Sequence, residues 1–411
     1  MRFARLPSDL RVTSPAPLVA FPGEYSDSMG LRKVIYRACM LFLVWRGIFF
    51  LSLMAGLSLS SEFSGRYDHP SEWLFLPEHY FLNGFFRWDA YWYDLIAREG
   101  YGTQGDAAKA VAFFPLFPVL ARITGFPFGS HLISGLLISN AACLVGLIYL
   151  YRIGLMFHDQ TTVERALVFF LCFPAAIFHC AFYSEGLYIA LTAAFFYHLL
   201  RGQYGRATLA GVLATLCRPT GLLILIAALL ATTVRSLRDQ SLPPRSFYVL
   251  LLVPLGLVTY MAYLYALTGD ALAFAHVLTH WAREPRFPLA SIVEGMRAID
   301  WAFPRDMRHT QNVINVVTHI AFLSAGISLL LGSRDSRAWP LFGFYVLGGT
   351  LLPLSAGSAD VAVRYLSILF PAFFLLAEKV TSRIGESAIV GALSMLSVVY
   401  GLGFMNKFWV V

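Results

Sequence analysis

Long apolar runs without a single charged side chain decide what this sequence can fold into. Residues 246–268, 310–333, 338–359, 387–406 and 132–151 contain no Asp, Glu, Lys or Arg. About 20 mainly apolar residues span the hydrocarbon of a bilayer as a helix. Inside lipid every backbone polar group must pair internally, which leaves helices or the strands of a closed barrel. Barrel strands run about 10 residues and alternate in polarity, whereas these runs are longer and do not alternate. An all-α polytopic membrane protein is the expected class. With 58% hydrophobic and 13% charged residues, against about 25% charged in soluble domains, the chain cannot cover its own surface with polar groups.

The pattern predicts about eleven transmembrane helices, near 34–60, 110–126, 130–156, 164–182, 184–200, 207–233, 246–268, 310–331, 338–356, 362–378 and 386–406. Arg2, Arg5, Arg11, Arg32, Lys33 and Arg37 gather before or at the first, which places that end in the cytoplasm. Counting crossings then brings Arg235, Arg238, Arg245, Arg334, Arg337, Lys379 and Arg383 to the same side. The count fits worst between 110 and 200, where Arg152, Arg165, Arg201 and Arg206 would face outward unless two short helices there form one broken pair. Residues 1–33 read as a polar cytoplasmic extension and 34–411 as the membrane domain. Residues 61–110 and 269–309 exceed ordinary connection lengths and fall outside, so they are the expected seat of chemistry.

No basic run is long enough for nucleic acid, and the net charge of +7 suits anchoring at a cytoplasmic face. Cys39, Cys143, Cys172, Cys180 and Cys217 all sit in apolar runs without metal-type spacing, as small buried hydrophobes do.

In the first long loop, Phe81, Phe85, Trp88, Trp92 and Leu95 recur at helical steps, with Gly100 as a stop. A helix so rich in Trp and Tyr lies in the membrane interface, with Asp89 at head-group depth. Asp89 and Asp94 point about 140° apart on a helix, so at most one of them enters a site; the plainer reading of Asp89 is a solvated acid. Phe113-Phe114-Pro115-Leu116-Phe117-Pro118 suits a helix start. Arg218 lies inside an apolar run beside Pro219 and Gly221. A cation there costs on the order of 3 kcal/mol, and it either binds a phosphate or pairs with an internal acid such as Glu185. Arg364 either snorkels to the outer interface or faces a site. The side of the membrane on which Glu185 lies is left open by the count, and Arg46 is a weaker case of the same kind. His276 and His280 stand one turn apart without the Glu of a zinc-protease pattern, so polar contacts to sugar or phosphate, or a wet interfacial helix, are the readings for His280, Trp281, Arg283 and Arg286.

The string Arg87-Trp88-Asp89-Ala90-x-Trp92-Tyr93-x-x-Ile96-Ala97-x-x-Gly100-Tyr101, followed by Phe113-Phe114-Pro115-x-x-Pro118, resembles the first-loop signature of the PIG-V mannosyltransferases. Phe173-Pro174-Ala175, Tyr183-Ser184-Glu185, Arg218-Pro219-Thr220-Gly221, His280-Trp281 and Arg364-Tyr365 follow in matching order. The resemblance runs from about residue 35 to 380. That family adds the second mannose of the GPI anchor in eukaryotes and has bacterial relatives.

The resemblance implies a C-type glycosyltransferase architecture with amphipathic helices in the first outer loop, and a polyprenyl- or dolichyl-phosphate sugar donor. A lipid-linked or glycan acceptor and an inverting transfer on the extracytoplasmic side follow from it. Asp89 matches the acid of that class and is the expected catalytic base. Arg87, Arg218, His280, Arg283, Arg364, Tyr365 and Glu185 are expected around donor phosphate or substrate, and Trp88, Trp92 and Tyr93 around lipid or sugar. No metal ligand set stands out, so no cofactor is expected to be essential, although some members of the class use a divalent metal, here Mg or Mn. The setting is a bacterial inner membrane, or the endoplasmic reticulum in a eukaryote, with room for a small membrane partner subunit. The rival readings are a transporter or lipid flippase, for which no internal repeat speaks, and a non-catalytic subunit.

Overall fold

The computed structural model describes residues 29–60, 75, 79–127, 129–281, 283–299, 307–332, 338–357 and 359–406. The expected extension 1–33 lies outside the described residues up to residue 28, as do most of 61–78. The α-helices are α1 (Leu31–Ser60), α2 (Tyr80–Asn83), α3 (Ala90–Glu99), α4 (Gly105–Lys109), α5 (Leu116–Gly125), α6 (His131–Gly154), α7 (Gln160–Cys172), α8 (Glu185–Leu200) and α9 (Tyr204–Cys217). They continue as α10 (Leu222–Asp239), α11 (Leu255–Thr268), α12 (Ala273–His276), α13 (Pro288–Arg297), α14 (Met307–Leu331), α15 (Trp339–Ser355), α16 (Ala362–Leu366), α17 (Pro371–Lys379) and α18 (Arg383–Met405). No strand occurs among the described residues.

Six of these helical stretches are long and apolar enough to cross a membrane, and a bent pair, Gly105–Ala112 with Leu116–Gly125, makes a seventh by composition. Leu43, Leu51, Leu209, Val258, Ile320 and Met395 face outward. Shielding a side chain of that size from water is worth roughly 1.5–3 kcal/mol, which a lipid sheath supplies here. The chain is a multi-pass membrane protein.

Contacts between helix ends sort the bundle into two poles. At the first, Arg37 and Tyr151 both reach Glu164, at 3.4 and 2.8 Å. Arg165 bonds Glu386 at 2.9 Å, Arg152 lies 4.4 Å over the Tyr197 ring, and Tyr204 packs on Phe247. At the second pole, His131 Nε2 is 2.7 Å from Asp94. There Arg87 donates to the Met405 carbonyl at 3.2 Å, and Tyr260 to the Val111 carbonyl at 2.8 Å.

Three hairpins enter this frame and turn back inside it. In the first, α7 leaves the basic pole and stops at Cys172, where Pro174 opens a 3-10 turn, Pro174–His179; α8 then returns to the same pole. Its Gly186 lies so close to α6 that a Cβ would stand 2.4 Å from the Ser139 carbonyl oxygen. In the second, α9, of 14 residues, rises about 21 Å to Arg218, and a 3-10 turn, Pro219–Gly221, starts the return along α10. Were α10 to continue away from the basic pole, its 18 residues would end some 48 Å from it. The link 240–246 to Phe247, which packs on Tyr204, reaches about 25 Å at most. The third hairpin comes from the opposite pole: α4 and a 3-10 turn, Ala110–Ala112, meet α5 at a 115° bend around Phe113–Pro115.

Hairpins do not change sides. Residues 110–126, 164–182, 184–200 and 207–233, expected from composition as separate crossings, form limbs of these hairpins. Arg152, Arg165, Arg201 and Arg206 therefore join Arg37, Arg235 and Arg383 at one pole, which removes the conflict left by an eleven-crossing count. Apolarity records what surrounds a segment and says nothing of the direction it takes. The single amphipathic helix expected across 81–99 is likewise divided into α2, an irregular turn and α3, which Gly100 ends at φ 84°.

Candidate active site

The tips of the second and third hairpins converge on one cavity of about 620 Å³, which the first hairpin lines through Tyr188 of α8, within the range of small-molecule sites. Phe113 and Phe114 come from one tip and Arg218 to Thr220 from another. Asp89 and Tyr93 come from the first loop, and Arg364 and Tyr365 from α16. Between them runs a chain of four charges. Arg364 Nη1 donates to Asp89 Oδ2 at 2.6 Å, and its Nε to Glu185 Oε1 at 2.5 Å. Arg218 Nη1 lies 2.7 Å from the same Glu185 oxygen, a charge contact without hydrogen-bond alignment.

Two carboxylates and two guanidiniums sum to zero, as a low-dielectric setting demands. The members differ in depth. The Glu185 side chain has no exposure and that of Arg364 only 4%, whereas those of Arg218 and Asp89 keep 12% and 21%. Glu185 and Arg364 are the buried keel, and Asp89 and Arg218 are the faces turned to the cavity. The rings of Tyr183 and Phe178, themselves in contact, also pack against Arg364, at 4.7 and 5.2 Å. Counting crossings leaves Glu185 without an assigned side; the first hairpin brings it to the level of Asp89.

The turn that presents Asp89 is strained. Trp88 adopts φ 55°, a left-handed conformation that a bulky residue seldom takes. Strain of this kind persists where surrounding contacts over-determine it. Arg87, buried, donates to the carbonyls of Asn83, Phe86 and Met405, so its guanidinium holds backbone and does not line the cavity.

The second long loop closes the cavity from above. Trp281 packs against Trp92 and Phe113, with centroids 5.6 and 5.9 Å away. Two residues on, Arg283 crosses to the opposite rim and pairs with Asp360 at 3.2 Å. Arg286 N–H bonds the Ser355 carbonyl at 2.8 Å. His280 is exposed and absent from the lining; His276 pairs with Asp270 at 2.7 Å. Of the expected residues, the structure thus brings Asp89, Tyr93, Arg218, Arg283, Arg364 and Tyr365 to one lining, with Glu185 directly beneath. Trp92 stands behind Trp281, and Trp88 packs with the core beside Asp89. Asp360 and Tyr183 were not among the expected site residues. An acid four positions before Arg364 is the signal for Asp360, and a neighbour of Glu185 in an already distinctive triplet is the signal for Tyr183.

Asp94 has a different setting from Asp89. It is buried between Arg98 at 2.8 Å and His131 at 2.7 Å, which ties α3 to the top of α6.

Residues 33–242 match the profile of the mannosyltransferase (PIG-V) family, about half of the chain. The match takes in Asp89, Glu185 and Arg218, three of the four linked charges. No curated protein matches the chain. With that match over a site built from the same stretch, this chain belongs to the PIG-V mannosyltransferase family.

Proposed function

We propose that the chain moves a mannose-type sugar from a polyprenyl- or dolichyl-phosphate carrier to a lipid-linked or glycan acceptor, with inversion, in a C-type glycosyltransferase architecture. One observation carries the reading: the cavity joins an apolar groove to a carboxylate and a guanidinium. Ile226 of α10 and Leu352 of α15 line it while remaining open to the outside of the bundle, and the same wall ends at Arg218. A long apolar chain terminating in phosphate complements that sequence of surfaces.

Asp89 takes the proton of the acceptor hydroxyl, whose oxygen attacks the anomeric carbon from the face opposite the phosphate. The bond from that carbon to the phosphate oxygen breaks, and the electron pair stays on the lipid phosphate. Arg218, with Arg283 at the rim, meets the added charge. Among the described residues no three His, Cys, Asp or Glu side chains come together to hold a divalent ion, and no step here is routed through one. The pole bearing Arg37, Arg152 and Arg201 is assigned to the cytoplasm on the positive-inside rule, which puts Asp89 towards the extracytoplasmic side of a bacterial inner membrane or of the endoplasmic reticulum.

Purified protein incubated with radiolabelled polyprenyl-phosphate mannose and lipid extract of the host is expected to yield one labelled product in which the new linkage has inverted anomeric configuration. Absence of transfer, with label recovered only in the donor, overturns the reading. The groove makes a separate prediction. Ile226→Trp narrows it and is expected to raise the KM for a long-chain donor about tenfold while leaving that for a two-isoprene donor within twofold. An equal change for both chain lengths would place the lipid elsewhere.

A further inference from the structure

Tyr183 is fully buried, and the reaction above does not use it. Its hydroxyl donates to the Arg87 carbonyl at 2.8 Å and accepts from the Asp89 N–H at 3.1 Å. These two groups flank Trp88, the residue in the left-handed conformation. One hydroxyl therefore clasps the strained peptide pair on both sides. The Arg87 carbonyl has a second partner in the Ala90 N–H at 3.1 Å; the Asp89 N–H has no other hydrogen bond among the described residues. The neighbours of Tyr183 serve the same cavity: Ser184 Oγ bonds the Tyr93 hydroxyl at 2.8 Å, and Glu185 holds both arginines.

We infer that Tyr183 is a positioning residue for Asp89: its hydroxyl holds the turn that aims the carboxylate at the acceptor, and so it acts on the transfer step rather than on donor binding. This rests on the reading of Asp89 as the base. The ring of Tyr183 packs against Tyr93, Phe178 and Phe404 and beneath Arg364. None of those contacts needs the hydroxyl, so removing it alone spares the packing.

A displacement of about 1 Å at a reacting group costs on the order of 10²-fold. Tyr183→Phe is therefore expected to lower kcat about 10–100-fold, with the donor KM within twofold of wild type. Thr192→Val is the control: Thr192 is a buried hydroxyl on α8 that bonds the Tyr188 carbonyl at 2.9 Å and does not line the cavity. It is expected to leave kcat within about threefold. At position 183, p-aminophenylalanine restores a donor of the same reach and is expected to recover kcat above the Phe level. That variant also carries the test should the Phe variant fail to fold. A folded Tyr183→Phe enzyme with wild-type kcat, or no gain from the amino group, overturns the inference. If Asp89→Asn is inactive in the same assay, the reading of the base still stands; an active Asp89→Asn would sink that reading instead.

Discussion

Asp89→Asn is expected to lower single-turnover transfer by about 10²–10⁴-fold, the usual contribution of a positioned general base. Asn is the informative substitution. Its amide oxygen still accepts from Arg364, which lies 2.6 Å from the Asp89 carboxylate, so the turn at Trp88 keeps its outer contact. Ala removes both the base and that acceptor, leaving Arg364 and Arg218 to share Glu185 alone. A loss seen with Ala and not with Asn would assign Asp89 to holding Arg364 through its acceptor oxygen. A loss with both, in protein that remains monodisperse and binds donor, assigns it to proton transfer. Transfer by the Asn variant within threefold of wild type removes Asp89 from the chemistry.

The sequence exposes the charged members of this site and hides their arrangement. Asp89 stands out because an acid among Trp and Tyr is unusual, and Arg218 because a cation in an apolar run is costly. Neither signal says that Arg364 lies against Glu185, 179 residues away in the chain. Only the first hairpin brings them together, and its limbs carry the same composition as a crossing helix would. Nor does Arg87 differ on paper from an arginine that binds phosphate. Its burial among the carbonyls of Asn83, Phe86 and Met405 depends on where α18 ends. The left-handed Trp88 breaks the rule that such positions favour glycine, so a reading by residue preference runs a helix straight through it. Local pattern finds chemistry where a residue type is out of place, and it misses geometry that depends on distant contacts.

Glu185→Gln is expected to cause the largest loss of stability of any single change in the site. The carboxylate has no exposure and faces two guanidiniums. Removing its charge leaves Asp89 alone to balance both, and an uncompensated buried charge costs about 3–5 kcal/mol. For a chain of this size that corresponds to a fall of roughly 5 °C in apparent Tm in detergent. Charge balance makes a sharper prediction for the double variant. Glu185→Gln with Arg218→Met leaves Asp89 and Arg364 as a neutral pair, so most of the lost Tm is expected to return. Activity is not expected to return with it, because the cavity then lacks the guanidinium assigned to the leaving phosphate. A stable, inactive double variant separates the two tasks of the cluster: the sum of charges holds the hairpin tips together, and Arg218 itself serves the donor. If the double variant melts as low as Glu185→Gln alone, overall neutrality is not what secures the tips, and the direct ion pairs of the Glu185 carboxylate with the two arginines are.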